Sequence, residues 1–273
     1  MNEVNFYRDA QLPFEIKINN KSDALSYKKH AHEEYSLGLV NQGASSFWCQ
    51  GRYTELGPKS LVFIPRELVH ACNPKVNCPW AYKMIYLQAP WLKDFLASCK
   101  MQPALLQKPL VRTLAQKNDL RKANQLIERL LGSVSYLEKE SALQLLLEEL
   151  LCLRQVEVSV KEAEMQPKVK KIREHLLRNL ADKTTLQQLE EVSGLNKFHI
   201  IRAFKAEFGI PPHAYQTLLR INQAKKELRK NKAISAVAYE TGFYDQSHFH
   251  KTFKLQVGVT PECYQKTALG KRE

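Results

Sequence analysis

The first residues in this 273-residue chain that could do chemistry are three histidines and a set of aromatic side chains. His30 and His32 stand two apart, and His70 follows. A trio of neutral imidazoles could hold zinc, iron or manganese. His32, Tyr35, Trp48, Glu67, His70 and Tyr82 combine aromatic and polar groups suited to orienting a small amphipathic ligand. Trp48 and Tyr82 would serve a hydrophobic core equally well. The six cysteines (Cys49, Cys72, Cys78, Cys99, Cys152 and Cys263) include no C-x-x-C pair. That usage points to reduced thiols in a cytoplasmic protein, with neither a disulfide frame nor a zinc ribbon.

A second set near the C-terminus suits a different task. Lys197, Phe198, Ile201, Arg202 and Lys205 are left outward when Leu195, Ile200 and Phe204 turn into the core of one short helix. Gln246, Ser247, His248, His250 and Lys251 form the corresponding set around Phe249 and Phe253. Phe198 and Ile201 match thymine methyl groups, Arg202 matches guanine or phosphate, and Gln246 can pair bidentately with adenine. Ser247 and His248 can donate to base edges or phosphate. His248 and His250 are two apart, so on a helix they do not share a face and suggest no metal site.

These two helices belong to an internal repeat. Leu186, Leu189, Gly194, Leu195, Phe204, Lys205, Gly209, Pro212 and Tyr215 recur as Ile234, Val237, Gly242, Phe243, Phe253, Lys254, Gly258, Pro261 and Tyr264. Landmarks matching in order indicate two copies of one supersecondary unit. In the first copy Thr184 or Thr185 can cap a helix over Leu186–Val192, and Gly194 permits a left-handed turn. Asn196 can then cap a helix from Lys197 to Phe208, which Gly209 ends. Two short helices around such a turn make a helix-turn-helix, whose second helix enters the major groove. A long helix, Ala214 to Lys230, carries Arg220, Lys225, Lys226, Arg229 and Lys230 between the copies and would fix their orientation.

The preceding residues have other periods. Segments 36–40, 44–50, 52–56, 60–64 and 80–87 read as short strands punctuated by Gly, Pro and Asn, which suggests an antiparallel sandwich or barrel. Residues 119–131 and 140–156 read as amphipathic helices. The Leu-rich face of the second is suited either to burial on the barrel or to self-association.

The charge supports this division. Residues 166–273 hold 20 Lys+Arg against 10 Asp+Glu, and residues 1–165 hold 21 against 18. A net +10 in the C-terminal part suits a polyanion, and a basic solvated surface accounts for it as well. No apolar run approaches the ~18 residues of a membrane-spanning helix, and no signal peptide is visible at the N-terminus.

The pattern Gly242-Phe243-Tyr244-Asp245-Gln246-Ser247-His248-Phe249, then Phe253-Lys254, Gly258, Thr260-Pro261 and Tyr264, resembles the AraC/XylS family of bacterial transcription regulators. The resemblance covers residues 168–266 and includes Arg220 and Ala224 of the linking helix. It implies that Phe198, Ile201, Arg202, Gln246, Ser247, His248 and Lys251 read DNA. Where the family more often has Arg, this chain has Lys251, which points to a phosphate contact. His30-Ala31-His32 with Tyr35 and Gly43, then Gly57, Pro65 and His70, resemble the two cupin motifs. Metal-dependent cupins add a Glu near the position of Ser36 or Leu37, and Glu33 and Glu34 fall too early for it. The stretch from Trp80 to Tyr86, then Pro90-Trp91-Leu92, resembles family members associated with amino-acid exporters.

The resulting expectation is a two-domain chain. An N-terminal all-β cupin-like barrel (1–110) would bind an effector, and a helical arm (111–160) could dimerise through residues 140–156. A linker (161–167) would lead to an all-α DNA-binding domain (168–273) with helix-turn-helix units at 184–209 and 233–258. Such a chain would be a cytoplasmic, non-membrane, non-enzymatic activator. It would bind double-stranded DNA, RNA polymerase and an amino-acid-like or other small metabolite and would require no cofactor, although His30, His32 and His70 could hold a divalent metal. The alternative is a metal-dependent cupin enzyme with an accessory DNA-binding domain.

Overall fold

Alternation of side chains along the strands organises the N-terminal half. The computed structural model describes residues 4–9, 12–22, 27–75, 78–98, 106–114, 116–132, 134–151 and 165–266. Its strands are β1 (Val4–Arg8), β2 (Phe14–Ser22), β3 (Tyr35–Gln42), β4 (Ser45–Cys49), β5 (Arg52–Leu56), β6 (Ser60–Ile64), β7 (His70–Pro74), β8 (Trp80–Leu87) and β9 (Leu110–Thr113). They form two antiparallel sheets, ordered β1-β2-β8-β3-β6-β9 and β5-β4-β7. In the larger sheet Leu37, Leu39, Leu61, Phe63, Ile85 and Leu87 face a helical layer. Val40, Val62, Ile64 and Tyr82 face the other way, onto Phe47 and Cys49 of the smaller sheet. Successive strand residues point to opposite faces, so one sheet serves two cores.

All five strand segments expected from the sequence are present. In β2, Phe14 and Ile16 alternate with Glu15, Lys17 and Asn19, yet both faces are buried. Its polar face meets the C-terminal half of the protein instead of water. β9 pairs with β6 and extends the sheet into the start of the segment expected to be a helical arm.

Helices α1 (Ala89–Ser98), α2 (Lys117–Leu131) and α3 (Tyr136–Leu151) cover the larger sheet. Ala142, Leu143, Leu146 and Leu147 of α3 are buried there, while Tyr136, Leu137 and Leu145 are exposed. Much of the face that could have served self-association is therefore occupied within the chain. Residues 152–156 of that expected helix, and 161–164 of the expected linker, lie outside the described residues.

The C-terminal half comprises α4 (Pro167–Arg178), α5 (Leu186–Ser193), α6 (Lys197–Phe208), α7 (Pro212–Arg229), α8 (Ile234–Glu240), α9 (Gln246–Val257) and α10 (Pro261–Gln265). Thr185, Asn196 and Asp245 cap α5, α6 and α9 by accepting from the backbone N–H three residues on. Gly194, Gly209 and Gly258 end the same helices in the left-handed conformation. Leu189, Ile200 and Phe204 build one core, and Phe243, Phe249 and Phe253 build the other. α7 joins them, with Leu218 and Leu219 in the first core and Ile221, Ala224 and Leu228 in the second.

Candidate functional site

Because Ile200 and Phe204 are fully buried, the opposite side of α6 must face outward. Lys197, Phe198, Ile201 and Arg202 are exposed there, Phe198 at 72%. An aromatic ring so exposed beside basic side chains is suited to a partner surface. On α9, Gln246, Ser247, His248 and Lys251 are exposed in the same way. His250 departs from the expected outward set. It is half-buried, with Nε2 3.4 Å from Glu262 of α10 and 3.3 Å from the Gln246 amide nitrogen. Tyr244 is a residue the sequence reading missed, at 97% exposure in the turn before α9. Its signal was an aromatic residue between the core position Phe243 and the cap Asp245. Lys205 is exposed at the other end of α6, in a cleft beneath the barrel.

The two units are tied by Arg220. Its Nε donates to the Leu180 carbonyl (2.8 Å), Nη1 to that of Gly242 (2.6 Å) and Nη2 to that of Asp182 (2.9 Å). The rigid guanidinium fork thus joins the approach to α5 with the turn of the second unit.

The remaining cations of α7 overturn a simple reading of the C-terminal charge as an interface for a polyanion. Arg229 lies 3.3 Å from both Glu15 and Glu34 and donates to the Tyr264 hydroxyl at 2.9 Å. Lys225, buried, lies 3.8 Å from Glu34. Lys226 pairs with Glu33 at 2.5 Å and Lys230 with Glu227 at 3.0 Å. Arg173 of α4 bonds Glu67. Burial alone would raise the Glu34 carboxyl, but Lys225 and Arg229 hold it down to about 2. Glu15, fully buried, is likewise held below its ordinary value against desolvation by Arg229, Lys225 and Arg8. These charges form a seam between the halves: each acid lies on the barrel side, except Glu227.

The three histidines come together at this seam, with their ligating atoms within 4.8 Å of one another. His30 Nδ1 contacts the Lys28 carbonyl (2.7 Å) and His70 Nδ1 that of Leu68 (2.9 Å). In the neutral ring that contact places the proton on Nδ1 and leaves Nε2 free to ligate. Burial above all lowers the affinity of His30, His32 and His70 for protons, His70 to about 4, so the rings are in their ligating form at neutral pH. The trio could bind a metal ion, and among the described residues no carboxylate joins it. The space beside His30 and His32 is only 10 Å³, closed by Ile221, Asn222 and Lys225 of α7. It has room for about one ion or water.

The other side chains expected to surround an effector are dispersed. Tyr35 stacks on Phe63 in the core under the helices. Tyr82 lies in the other barrel core, its hydroxyl 3.0 Å from that of Tyr27. His32 lines the 10 Å³ space. Trp48 and Glu67 line a separate cleft of 780 Å³ between the barrel and α6. Strand alternation separates them: neighbours of Trp48 on β4 enter the barrel, so Trp48 points out against the C-terminal half.

Residues 15–152 match the family model for the AraC-like ligand binding domain, and residues 189–267 match a helix-turn-helix domain. The chain is 32% identical over 230 residues to the uncharacterized HTH-type transcriptional regulator YbfI of Bacillus subtilis, covering 81% of each. Over 93 residues it is 32% identical to the transcriptional activator AarP of Providencia stuartii, covering 34% of this chain and 69% of AarP. The structure of ToxT from Vibrio cholerae superposes with a TM-score of 0.58 at 11% identity, covering 94% of this chain and all (100%) of ToxT, and so shares the fold. The relatives named here are regulators, which sets the cupin-enzyme alternative aside.

Proposed function

This chain belongs to the AraC family of transcriptional regulators, and from that premise we propose that α6 and α9 read two successive major-groove segments for a ligand-responsive switch. The observation that carries this reading is the pair of capped helices, each with a buried aromatic side, the outer side of α6 carrying Phe198 and Ile201 among cations and that of α9 being polar. Phe198, Ile201 and Arg202 form one reading set and Gln246, Ser247 and His248 the other, with Lys251 beside it on phosphate. Lys197 supplies a phosphate contact, and Tyr244 adds an aromatic side chain beside the second set. The likeness of the DNA-binding half to AarP supports an activating role.

The test is operator binding by Arg202→Ala and Gln246→Ala. Each should lose discrimination between operator and random duplex by about 1–3 kcal/mol, the worth of a bidentate base contact. Unchanged discrimination in both would overturn the assignment. Lys251→Ala should weaken binding to all sequences alike and reduce the salt dependence by about one counterion.

A second reading concerns the histidines. His30, His32 and His70 offer three nitrogen donors, two with the second ring nitrogen already engaged, which fits a divalent ion such as zinc. When bound, such an ion would act as a structural Lewis acid beside α7. Tag-free protein should carry about one metal per chain, and His70→Ala should lose it. Metal-free wild-type protein after purification in zinc-supplemented medium would refute this reading.

A further inference from the structure

The two helix-turn-helix cores are separate, and α7 contributes to both. Among the described residues, α4–α6 form one packed group on α7 and α8–α10 form another. The change of core falls at Arg220: Leu218 and Leu219 lie in the first, Ile221 and Ala224 in the second. By itself, one helix of 18 residues leaves the two groups freedom to bend and twist about that point.

A second connection closes at the same place. The segment 179–184 leads from α4 toward α5 and turns its carbonyls to α7. Gln216, buried, has its amide nitrogen 3.0 Å from the carbonyls of Asn179 and Asp182 and from the Thr184 hydroxyl. One turn on, the Arg220 guanidinium takes the Leu180 and Asp182 carbonyls on one side and the Gly242 carbonyl on the other. Gly242, at φ +80°, lies so close that a Cβ there would stand 2.1 Å from the Ala181 carbonyl oxygen. The turn of the second unit therefore rests backbone to backbone on the approach to the first.

From this node hydrogen bonds run to both reading helices. Thr185, next along the segment, caps α5. In α5 the Glu190 carboxylate accepts from the Lys197 N–H at the start of α6 (2.6 Å). On the other side the Phe243 N–H donates to the Ala238 carbonyl (3.0 Å), and Asp245 caps α9. Each of these links is a turn or a cap, and the link across the two units is a planar fork. An ammonium in its place would keep the charge and the donors but no fixed plane.

We infer that Arg220 is a positioning residue that sets how many base pairs must separate the two half-sites of the duplex. The inference rests on the reading of α6 and α9 as two major-groove readers. Adding or removing one base pair moves the second half-site about 3.4 Å along the duplex and turns it about 34–36° around the axis. A rigid pair of readers rejects that displacement, whereas a pair joined by α7 alone follows it. Base contacts then choose the sequence of each half-site, and the Arg220 fork chooses their spacing.

The experiment uses duplexes that the wild-type full chain selects from a random pool, remade with one base pair inserted or deleted between the half-sites. Fluorescence anisotropy should show the wild type losing about tenfold or more in affinity on either change. Arg220→Lys should lose about threefold or less on the same changes, and should bind a duplex with one intact half-site as the wild type does. Gln216→Met removes the other hold on segment 179–184, so it should narrow the spacing penalty in the same direction. Circular dichroism checks the fold of both variants. A folded Arg220→Lys that keeps the full penalty would assign the spacing to the barrel and overturn the inference alone. If that variant does not fold, a full penalty in Gln216→Met does the same. Weakened binding to single half-sites would make Arg220 a support for one unit and equally overturn it. A wild type that selects one undivided site would overturn it together with the two-groove reading.

Discussion

Glu34 concentrates the electrostatics of the seam in one side chain. Desolvation works against its ionised form, and Lys225 with Arg229 outweighs that cost, so its carboxyl is held at about 2 instead of the ordinary 4.5. A folded value below the unfolded one means that the unfolded chain binds the proton first as pH falls. The stability Glu34 contributes is complete above about pH 4.5 and is lost as pH falls toward 2. Scanning calorimetry of wild type and Glu34→Gln should therefore show a midpoint gap that is wide at neutral pH and narrows on acidification through this window. A gap independent of pH would mean that Glu34 acts through packing alone. Other seam acids such as Glu15 titrate in the same direction, so the difference between the two proteins is the quantity to follow.

At the scale of elements, the glycines that end the helices separate two uses of one conformation. Gly194, Gly209 and Gly258 all have positive φ. A Cβ at Gly194 would meet open space, whereas one at Gly209 would stand 2.5 Å from Trp48 Cη2. Gly258 repeats the arrangement, with the Tyr27 hydroxyl 2.6 Å from the Cβ position. Both α6 and α9 thus end on a glycine pressed against the barrel. Gly194→Ala should cost about 1 kcal/mol for the left-handed backbone. Gly209→Ala should cost about 1–3 kcal/mol more, since the Trp48 indole must be displaced. Urea denaturation compares them, and equal losses would show that the Trp48 contact yields freely.

At the scale of the molecule, the barrel grips both helix-turn-helix units. Trp48, Val69 and Ala71 join the core of the first unit. At the second, the Lys17 ammonium donates to the Val257 carbonyl (2.7 Å), the Lys28 N–H to that of Leu255 (3.2 Å), and Tyr264 donates to Glu15. Removing one partner from a buried ion pair costs about 3–5 kcal/mol, because the other charge is left uncompensated. Glu15→Gln, which leaves Arg8 without its acid and Arg229 with Glu34 alone, should therefore loosen the seam before either half unfolds. Hydrogen exchange should quicken in α7 and α10 while the Leu37–Leu61–Ile85 core stays protected. Uniform quickening across both halves would instead mean that the two fold as one unit.

Features that act over three or four residues were legible in the sequence. The caps at Thr185 and Asn196, the turn glycines, the repeat and the family pattern of the second unit each depend on side chains close along the chain, as do the strands from 36 to 87. Partners across the fold were not. Arg229 meets Glu34 across 195 residues and Glu15 across 214, and no local pattern records such a pairing. The net charge of +13 was readable at once, but which cations stay available to a duplex depended on which acids the barrel brings against α7. The same holds for the sensing side chains. Composition nominated Tyr35, Trp48 and Tyr82 together, and strand alternation with domain docking sent them to three environments. Sequence alone thus determined the local units and their chemistry, because helix caps and hydrophobic periods are short-range. Only the tertiary structure decided which charges neutralise one another and where a ligand can fit, because burial and Coulomb pairing depend on distance in space.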